Sequence, residues 1–483
     1  MALIKEEGTL FEIENPQKQA VKLPPISVPF KRPTQFRESA LGLPQVSEID
    51  VIRHYTRLSN LNYNIDTGLY PLGSCTMKYN PKINDEIAAL DGFKNTHPFQ
   101  PALLSKGALE VLARLQELLA ELTGLPYVCL QPAAGAHGEF TGVKVIRAFL
   151  TKNGNPRKKM LIPDTAHGTN PATSALCQYE VVRVPNGPNG YLEVSDVEKL
   201  MDENTAGIMI TNPNTLGLFE KNIVEVCKVI HSKGGLVYCD GANFNAIMGW
   251  SKPGEVGVDV MHLNLHKTFS TPHGGGGPGA GPIAVNAQLE PFLPIPRILK
   301  KNHETVLSYN APHSIGSVRL AYGNFLVLLR ALVYTLTMGR DGLKQASSAA
   351  VLNANYILHH LKNYYYLPFG KTCMHECVFT DKKQNESGVK TIEIAKRLMD
   401  YGFHPPTIYF PLVVPGAMMI EPTETEPKHE LDRFIEAMKS ISIEAKEKPA
   451  LVQNSPHTVF VKRVDEVSAA KKPVLRDGKK NIF

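Results

Sequence analysis

A lysine at the end of a long apolar run is the residue whose position most clearly suggests chemistry. The run VGVDVMHLNL, residues 256–265, is followed by His266 and Lys267, and a glycine-rich stretch, GGGGPGAG, begins at residue 274. Burial favours the neutral form of a lysine amine. A neutral amine can form a Schiff base with a carbonyl carbon. The alternative for Lys267 is an ordinary surface lysine.

Three other predicted strands are followed by residues that can bind a ligand. Asp240 follows LVYC, His167 follows LIPDTA, and the small residues Gly135 and Ala136 begin a predicted helix in QPAAGAHGEF. Backbone N–H groups and the helix dipole favour an anion at such a helix start. Each feature also has an ordinary explanation: a helix N-cap for Asp240, a packed or exposed histidine, and a tight turn.

Taken together, these residues match the needs of one cofactor, pyridoxal phosphate. That cofactor requires a Schiff-base lysine, an anion for its ring nitrogen, a phosphate cradle and flat contacts on the ring. Lys267 and Asp240 are candidates for the first two, and the turn at Gly135 is the candidate cradle. His167 is planar and can stack on one face of the ring, with Ala242 on the other.

The elements that carry these residues alternate between strands and helices. Continuous apolar runs such as KKMLI, AGIMIT, LVYCD and VDVMHLNL are separated by helical stretches, which predicts a mostly parallel sheet covered on both faces. The later strands CVFT, IYFPLV and AMMI, with helices around them, indicate a smaller α+β domain. The predicted organisation is an N-terminal arm at 1–85, a large α/β domain at 86–338, a small C-terminal domain at 339–450 and a basic tail at 451–483.

Composition excludes several classes of protein. The net charge of +6 is modest and partly confined to the tail, so we expect no nucleic-acid binding. The apolar stretch FLVLLRALVYTLTM contains Arg330 and is shorter than the roughly 20 residues of a membrane span, which predicts a buried helix. Seven cysteines and the absence of a secretory signal favour free thiols in the cytoplasm. Cys373 and Cys377 form one pair in CMHEC, without a second pair of cysteines or histidines to complete a zinc site, so we expect no metal.

Several longer blocks are shared with a known family. They are LGSCTMKYNP, QPAAGAHGEF, DTAHGTNPAT, TNPNTLGLFE, CDGANFNA, HLNLHKTFSTPHGGGGPGAGPI and TETEPKHELDRF, which lie between about residues 70 and 440. In this order they resemble the glycine decarboxylase P-protein of the glycine cleavage system. The chain is similar to the C-terminal half of the long form, or to the second, lysine-bearing subunit of the two-subunit form.

This resemblance implies an aspartate-aminotransferase-like, type I pyridoxal phosphate fold. It implies that glycine loses CO2 and that its aminomethyl group passes to the lipoyl arm of the H-protein. The implied partner is a homologous first subunit, with two copies of each chain. Lys267 would carry the cofactor covalently, Asp240 would face the ring nitrogen and His167 would stack on the ring. The further implied cofactor contacts are Gly135, Ala136, Ala242, His266, Thr268, Asn214 and Thr215.

One block departs from the family pattern. Long-chain relatives often read SGAQGE where this chain has AAGAHGE, so Ala134 lacks a hydroxyl and His137 lacks an amide. Side-chain help at the phosphate is therefore reduced, whereas a backbone cradle is unaffected. The glycines at 274–277 are expected to leave room for the lipoyl arm, because larger side chains would obstruct it.

Two alternatives remain open at this point. One is another type I enzyme acting on a small amino acid, since no arginine except Arg319 is a candidate to bind a substrate carboxylate. The other is a non-catalytic scaffold subunit of the same complex. The presence of Lys267 with Asp240 and His167 argues against the scaffold.

Overall fold

The computed structural model describes residues 7–15, 17–18, 24–25, 27, 29, 42–97, 100–274, 279–302, 304–320 and 322–475. The chain divides into two compact units, Met1–Thr67 with Asn454–Phe483, and Gly68–Gln453. The domain boundaries expected at 85/86, 338/339 and 450/451 remain predictions.

The described chain contains both helices and strands along most of its length. The α-helices are α1 Glu48–Asn60, α2 Lys82–Ala88, α3 Asp91–Lys94, α4 Lys106–Thr123, α5 Gly135–Lys152, α6 Asn170–Leu176, α7 Val194–Leu200, α8 Ile223–Ser232, α9 Phe325–Leu361, α10 Thr391–Asp400, α11 Lys428–Glu447, α12 Pro449–Gln453 and α13 Glu466–Lys471. The strands are β1 Tyr127–Cys129, β2 Lys159–Pro163, β3 Glu180–Val184, β4 Thr205–Thr211, β5 Leu236–Gly241, β6 Val260–Leu263, β7 Ile283–Val285, β8 Arg297–Lys301, β9 Glu304–Ser308, β10 Cys377–Thr380, β11 Thr407–Ile408 and β12 Ala417–Ile420.

The first unit contains a helix, α1, within the segment that the sequence predicts as an N-terminal arm. α1 begins after Ser47, whose hydroxyl accepts from the Asp50 N–H while the Asp50 carboxylate bonds back to Ser47. This is a capping box, and it fixes the start of the helix locally. The apolar residues Ile49, Ile52 and Tyr55 of this helix are exposed. The helix therefore lacks the buried apolar face by which helices are usually predicted from sequence.

The second unit is built on a seven-stranded sheet with the order β1-β7-β6-β5-β4-β2-β3. β7 runs antiparallel to its two neighbours, and the remaining neighbours are parallel. Alternate residues of β5 enter separate apolar clusters, Val237 and Cys239 in one, Leu236 and Tyr238 in the other. Burial on both faces explains the continuous apolar runs, and the predicted mostly parallel sheet is confirmed.

A smaller antiparallel sheet follows, with the order β10-β12-β11. It packs its own apolar cluster against the second half of α9 and against α11. The strand predicted at IYFPLV is wrong in length: β11 ends at Ile408 because Tyr409 has a φ of +57° and Pro411 cannot donate to a ladder. The range given as α9 contains two helical segments that meet at Gly339, where the backbone is not helical and φ is +60°, as expected for the apolar helix around Arg330 and a separate helix after it.

Two expectations from composition can be compared with these elements. All seven cysteines are free, six of them buried and Cys75 partly so, as the sequence suggested. Within the described chain, each helix falls short of the length or the apolar content that crossing a membrane requires. The apolar segment around Arg330 is the start of α9, where Leu328, Leu329 and Ala331 are buried.

Candidate active site

The strand ends of β4, β5 and β6 bring two of the predicted residues to one edge of the large sheet. Asp240 is next to last in β5 and pairs in register with Thr211 of β4 and His262 of β6. Lys267 lies in the turn after β6, where its N–H donates to the Asn264 carbonyl at 3.0 Å. Both side chains are buried, with exposures of 1% for Asp240 and 7% for Lys267. The lysine at the end of the apolar run is therefore buried and is not an ordinary surface lysine.

The Asp240 carboxylate is held by several donors. It accepts from the Ala242 N–H at 2.9 Å and from the Asn170 amide at 2.9 Å, and His262 Nε2 lies 3.5 Å away. Burial by itself raises the pKa of Asp240, but His262, His167 and the Asn170 hydrogen bond outweigh it and lower the pKa to about 2. Asp240 is therefore an anion at neutral pH, as a partner for a protonated ring nitrogen must be.

The His167 ring is fixed in orientation beside this carboxylate. Its backbone N–H donates to Thr211 Oγ1 at 3.0 Å, and its Nδ1 lies 3.0 Å from Thr169 Oγ1. Thr169 in turn bonds to Glu139. Burial and the charge of Lys267 lower the pKa of His167, although Asp240 opposes them. The result is a neutral, flat ring suited to stacking.

The predicted anion cradle is the first turn of α5. Gly135 begins the helix, and the preceding Ala134 makes no side-chain cap, so the first N–H groups have no partner within the helix. A Cβ on Gly135 would lie 2.6 Å from Asn264 Nδ2, so a larger residue would crowd this turn. Ala136 is exposed. His137, the departure from the family pattern, accepts from the Ala133 N–H at 3.2 Å through its ring.

Several buried polar atoms near Lys267 have no hydrogen-bond partner within the described chain, among them Thr268 Oγ1, His266 Nδ1 and Asn264 Oδ1. The Asn264 side chain is also the group that approaches Gly135. Burial, followed by the nearby His273, lowers the pKa of His266 to about 3, so this ring is neutral. Unsatisfied buried groups of this kind usually face a ligand or water. With the open helix start they fit a phosphorylated cofactor such as pyridoxal phosphate.

Two of the more peripheral predicted contacts are engaged in their own loop. The Asn214 amide oxygen accepts from the N–H groups of Leu216 and Leu218, and its nitrogen donates to Gly190. Thr215 Oγ1 donates to the Thr165 carbonyl at 2.8 Å. These bonds hold the loop after β4, and a contact of either residue with the cofactor ring remains a prediction.

Arg319 lies near His137, whose pKa its charge helps to lower. Arg319 Nη1 is buried without a partner in the described chain, and the residue lines a cavity of about 350 Å³ with His97, Tyr322 and Asn324. A carboxylate-binding role for Arg319 remains a prediction. The predicted passage for the lipoyl arm depends on residues 275–277, which lie outside the described residues.

Sequence reasoning missed the residues that hold the lysine and aspartate in place. Lys267 Nζ donates to the Ser74 carbonyl at 2.8 Å, and Asn170 bridges Asp240 and Glu139. Asn170 and Glu139 lie inside the blocks DTAHGTNPAT and QPAAGAHGEF. The sequence did contain a signal for both residues: each is polar and lies near the start of a helix among small or apolar neighbours.

Comparison with known proteins gives matches over nearly the whole chain. Residues 14–300 match the family described as glycine cleavage system P-protein, and residues 346–460 match glycine dehydrogenase, C-terminal domain. A probable glycine dehydrogenase (decarboxylating) subunit 2 of Caldanaerobacter subterraneus subsp. tengcongensis is 52% identical over 98% of this chain and 99% of its own length. The Listeria welshimeri protein of the same name is 54% identical over 97% of both chains.

Solved structures share the architecture at low sequence identity. A glycine decarboxylase (P-protein) in inhibitor-bound form superposes with a TM-score of 0.69 and 19% identity, covering 86% of this chain and 92% of that one. Lactobacillus brevis glutamate decarboxylase gives a TM-score of 0.65 and 13% identity, with coverage of 86% and 96%. The predicted fold class, with its large parallel-sheet part and smaller C-terminal part, is confirmed.

Proposed function

Because the chain belongs to the glycine dehydrogenase (decarboxylating) subunit 2 family, we propose that it decarboxylates glycine and transfers the aminomethyl group to the lipoyl arm of the H-protein. The family, the enzyme class and the pyridoxal phosphate cofactor predicted from the sequence are confirmed. The observation that best supports the proposal is the meeting of buried Lys267 with anionic Asp240 and neutral His167 at one sheet edge.

Each residue has a distinct task in this proposal. Pyridoxal phosphate, when bound, accepts the electrons that remain as CO2 leaves. Lys267 provides the amine that attaches it, and Asp240 holds a proton at the ring nitrogen. His167 packs on the ring. The first turn of α5 and the Thr268 hydroxyl hold the phosphate, because their N–H and O–H groups are otherwise unused.

The proposed transfer is balanced by the lipoyl disulfide. The C–C bond to the glycine carboxylate breaks and a C–S bond forms to one lipoyl sulfur. The S–S bond breaks, and the second sulfur takes a proton and becomes a thiol. Glycine is oxidised and the disulfide is reduced, so no further oxidant is needed.

The proposal includes two protein partners and a location. The named relatives are second subunits, which supports a homologous first subunit here, with two copies of each chain. The lipoylated H-protein is the second partner. Seven free cysteines support a reducing compartment, and we place the protein in the cytoplasm.

Borohydride reduction of the pyridoxal phosphate-loaded complex, followed by peptide mapping, tests the site. We expect the label on Lys267 and none on Lys78, a similarly buried lysine that is ion-paired with Glu424 at 2.6 Å. Label on another lysine contradicts the site, and no label with the partner chain present supports the scaffold alternative. Exchange of CO2 with the glycine carboxylate, measured with and without lipoylated H-protein, tests the transfer.

A further inference from the structure

Two glutamates at the ends of strands in the smaller sheet lie together in the interior. Glu376 directly precedes β10 and Glu421 directly follows β12, and both are fully buried. One carboxylate oxygen of each glutamate and one ring nitrogen of His375 lie within 4.8 Å of one another. The proposed reaction gives none of these three residues a task.

A strained loop connects this pair to the lysine. The Ser74 N–H donates to Glu376 at 2.7 Å, and Thr76 donates to Glu421 through its N–H at 3.0 Å and its hydroxyl at 2.6 Å. Ser74 and Thr76 have φ values of +57° and +48°, which non-glycine residues rarely adopt. The Ser74 carbonyl accepts from Lys267 Nζ at 2.8 Å. The two glutamates therefore hold the loop that holds the amine.

Lys267 is the cation whose charge acts on both carboxyls. The other titratable neighbours are neutral: burial lowers the pKa of His375 to about 3, and burial raises the pKa of the Cys75 thiol. A hydrogen bond with Cys373, which favours the protonated form, and burial raise the pKa of the Cys377 thiol. Two adjacent carboxylates without solvent cannot both ionise beside one cation unless more charge compensates them.

We propose that Glu376 and Glu421 share a single proton and that this pair is the counter-charge and proton-exchange partner of the Lys267 amine. When the amine is a free ammonium, the singly charged pair balances it. When the amine loses its proton, that proton passes to the charged member of the pair, which leaves two neutral carboxyls and a neutral amine. This inference rests on the proposed function only in taking Lys267 as the amine that binds the cofactor.

The test is the pH dependence of pyridoxal phosphate attachment to the full complex, followed by visible absorbance and borohydride trapping. Either Glu376→Gln or Glu421→Gln leaves one carboxylate that can carry the charge, so we expect a small shift of the pH midpoint, about a few tenths of a unit. The double variant removes the charge and should lower the midpoint by about one unit or more. Glu220→Gln is the control, because Glu220 is a buried glutamate bonded to the Leu192 N–H elsewhere in the unit.

Other results would contradict either this inference or the proposed function. If the shifts of the two single variants add up to the shift of the double variant, the shared proton is overturned, and an unshifted double variant overturns the coupling to Lys267. Failure of the unaltered complex to attach the cofactor contradicts the proposed function instead. If the double variant does not fold, infrared difference spectra of the single variants decide, since either one should remove one protonated carboxyl. A divalent ion found in the native complex and lost in Glu421→Gln also overturns the proposal.

Discussion

Two groups of buried carboxyls lie around Lys267. One is Asp240, and the other is the pair Glu376 and Glu421. The two groups differ in charge. The pKa of Asp240 falls to about 2. Burial and the repulsion of Glu421 raise the pKa of Glu376 well above its ordinary value, and burial raises that of Glu421. The same chemical group is thus kept charged in one region and partly protonated in the other.

Hydrogen bonding alone does not explain this difference. Asp240 accepts from Ala242 and Asn170, and Glu421 likewise accepts from Thr76 and Asn245. What differs is the titratable neighbour with the largest effect: Glu376 and Glu421 face each other, whereas the titratable groups that act most strongly on Asp240 are histidines, which add no negative charge. A like charge at short range outweighs donors that would otherwise stabilise the anion. Variants that alter one region and spare the other therefore test this contrast.

Asp240→Asn should have the largest effect, because it removes the charge while keeping the shape. We expect kcat/KM for glycine-dependent CO2 exchange to fall by roughly 10²- to 10³-fold, the usual cost of losing one preorganised electrostatic partner. The cofactor should remain attached to Lys267, since the lysine and the α5 turn are unchanged. Steady-state kinetics and the visible spectrum measure both effects.

The matched control is Asp259→Asn. Asp259 is also buried and accepts from the Val237 N–H at 2.7 Å, but it directly precedes β6, whereas Lys267 lies in the turn after this strand. It should affect stability without a selective loss of kcat/KM. Equal losses in the two variants would show that Asp240 acts through folding.

The two groups of carboxyls also differ in how far their contacts could be predicted from the sequence. Asp240 lies at the end of β5 and Lys267 follows β6, and these two strands are parallel neighbours, so the local pattern predicts that the two residues meet. Glu376 and Glu421 come from separate segments, and Ser74 comes from a third more than 300 residues away. Their meeting depends on how the smaller sheet packs, which no local pattern encodes. Glu376 was visible only as part of CMHEC, a poor metal motif.

The second prediction concerns the pH dependence of stability, which should have a different slope in each region. Asp240 has a lowered pKa, so its contribution is complete above the ordinary aspartate pKa of 3.8 and is lost as the pH falls toward about 2. The glutamate pair has raised pKa values, so its contribution is complete below the ordinary glutamate pKa of 4.5 and is lost as the pH rises. A proton held only in the folded state costs about 1.4 kcal/mol per pH unit.

Urea unfolding of the variants between about pH 5 and pH 9 measures these slopes. The difference in unfolding free energy between the unaltered chain and Asp240→Asn should stay constant over this range. Relative to Glu421→Gln, the unaltered chain should lose stability steadily as the pH rises. Parallel curves for both variants would mean that the pair holds no proton, and the contrast would then disappear.

Thr268 provides a third case and the smallest expected effect, because its buried hydroxyl has no partner in the described chain. If that hydroxyl is reserved for the cofactor phosphate, Thr268→Val should weaken pyridoxal phosphate binding by about tenfold, or roughly 1.5 kcal/mol for one hydrogen bond to a charged group. The unliganded chain should be equally stable or slightly more so, since an unsatisfied polar group is replaced by an apolar one.

Thr271→Val is the matched control, because Thr271 Oγ1 is also buried and without a described partner. Equal weakening by both substitutions would indicate altered packing. A selective effect at Thr268 would show that its hydroxyl, unlike the carboxylates around Lys267, gains its partner only when the cofactor binds.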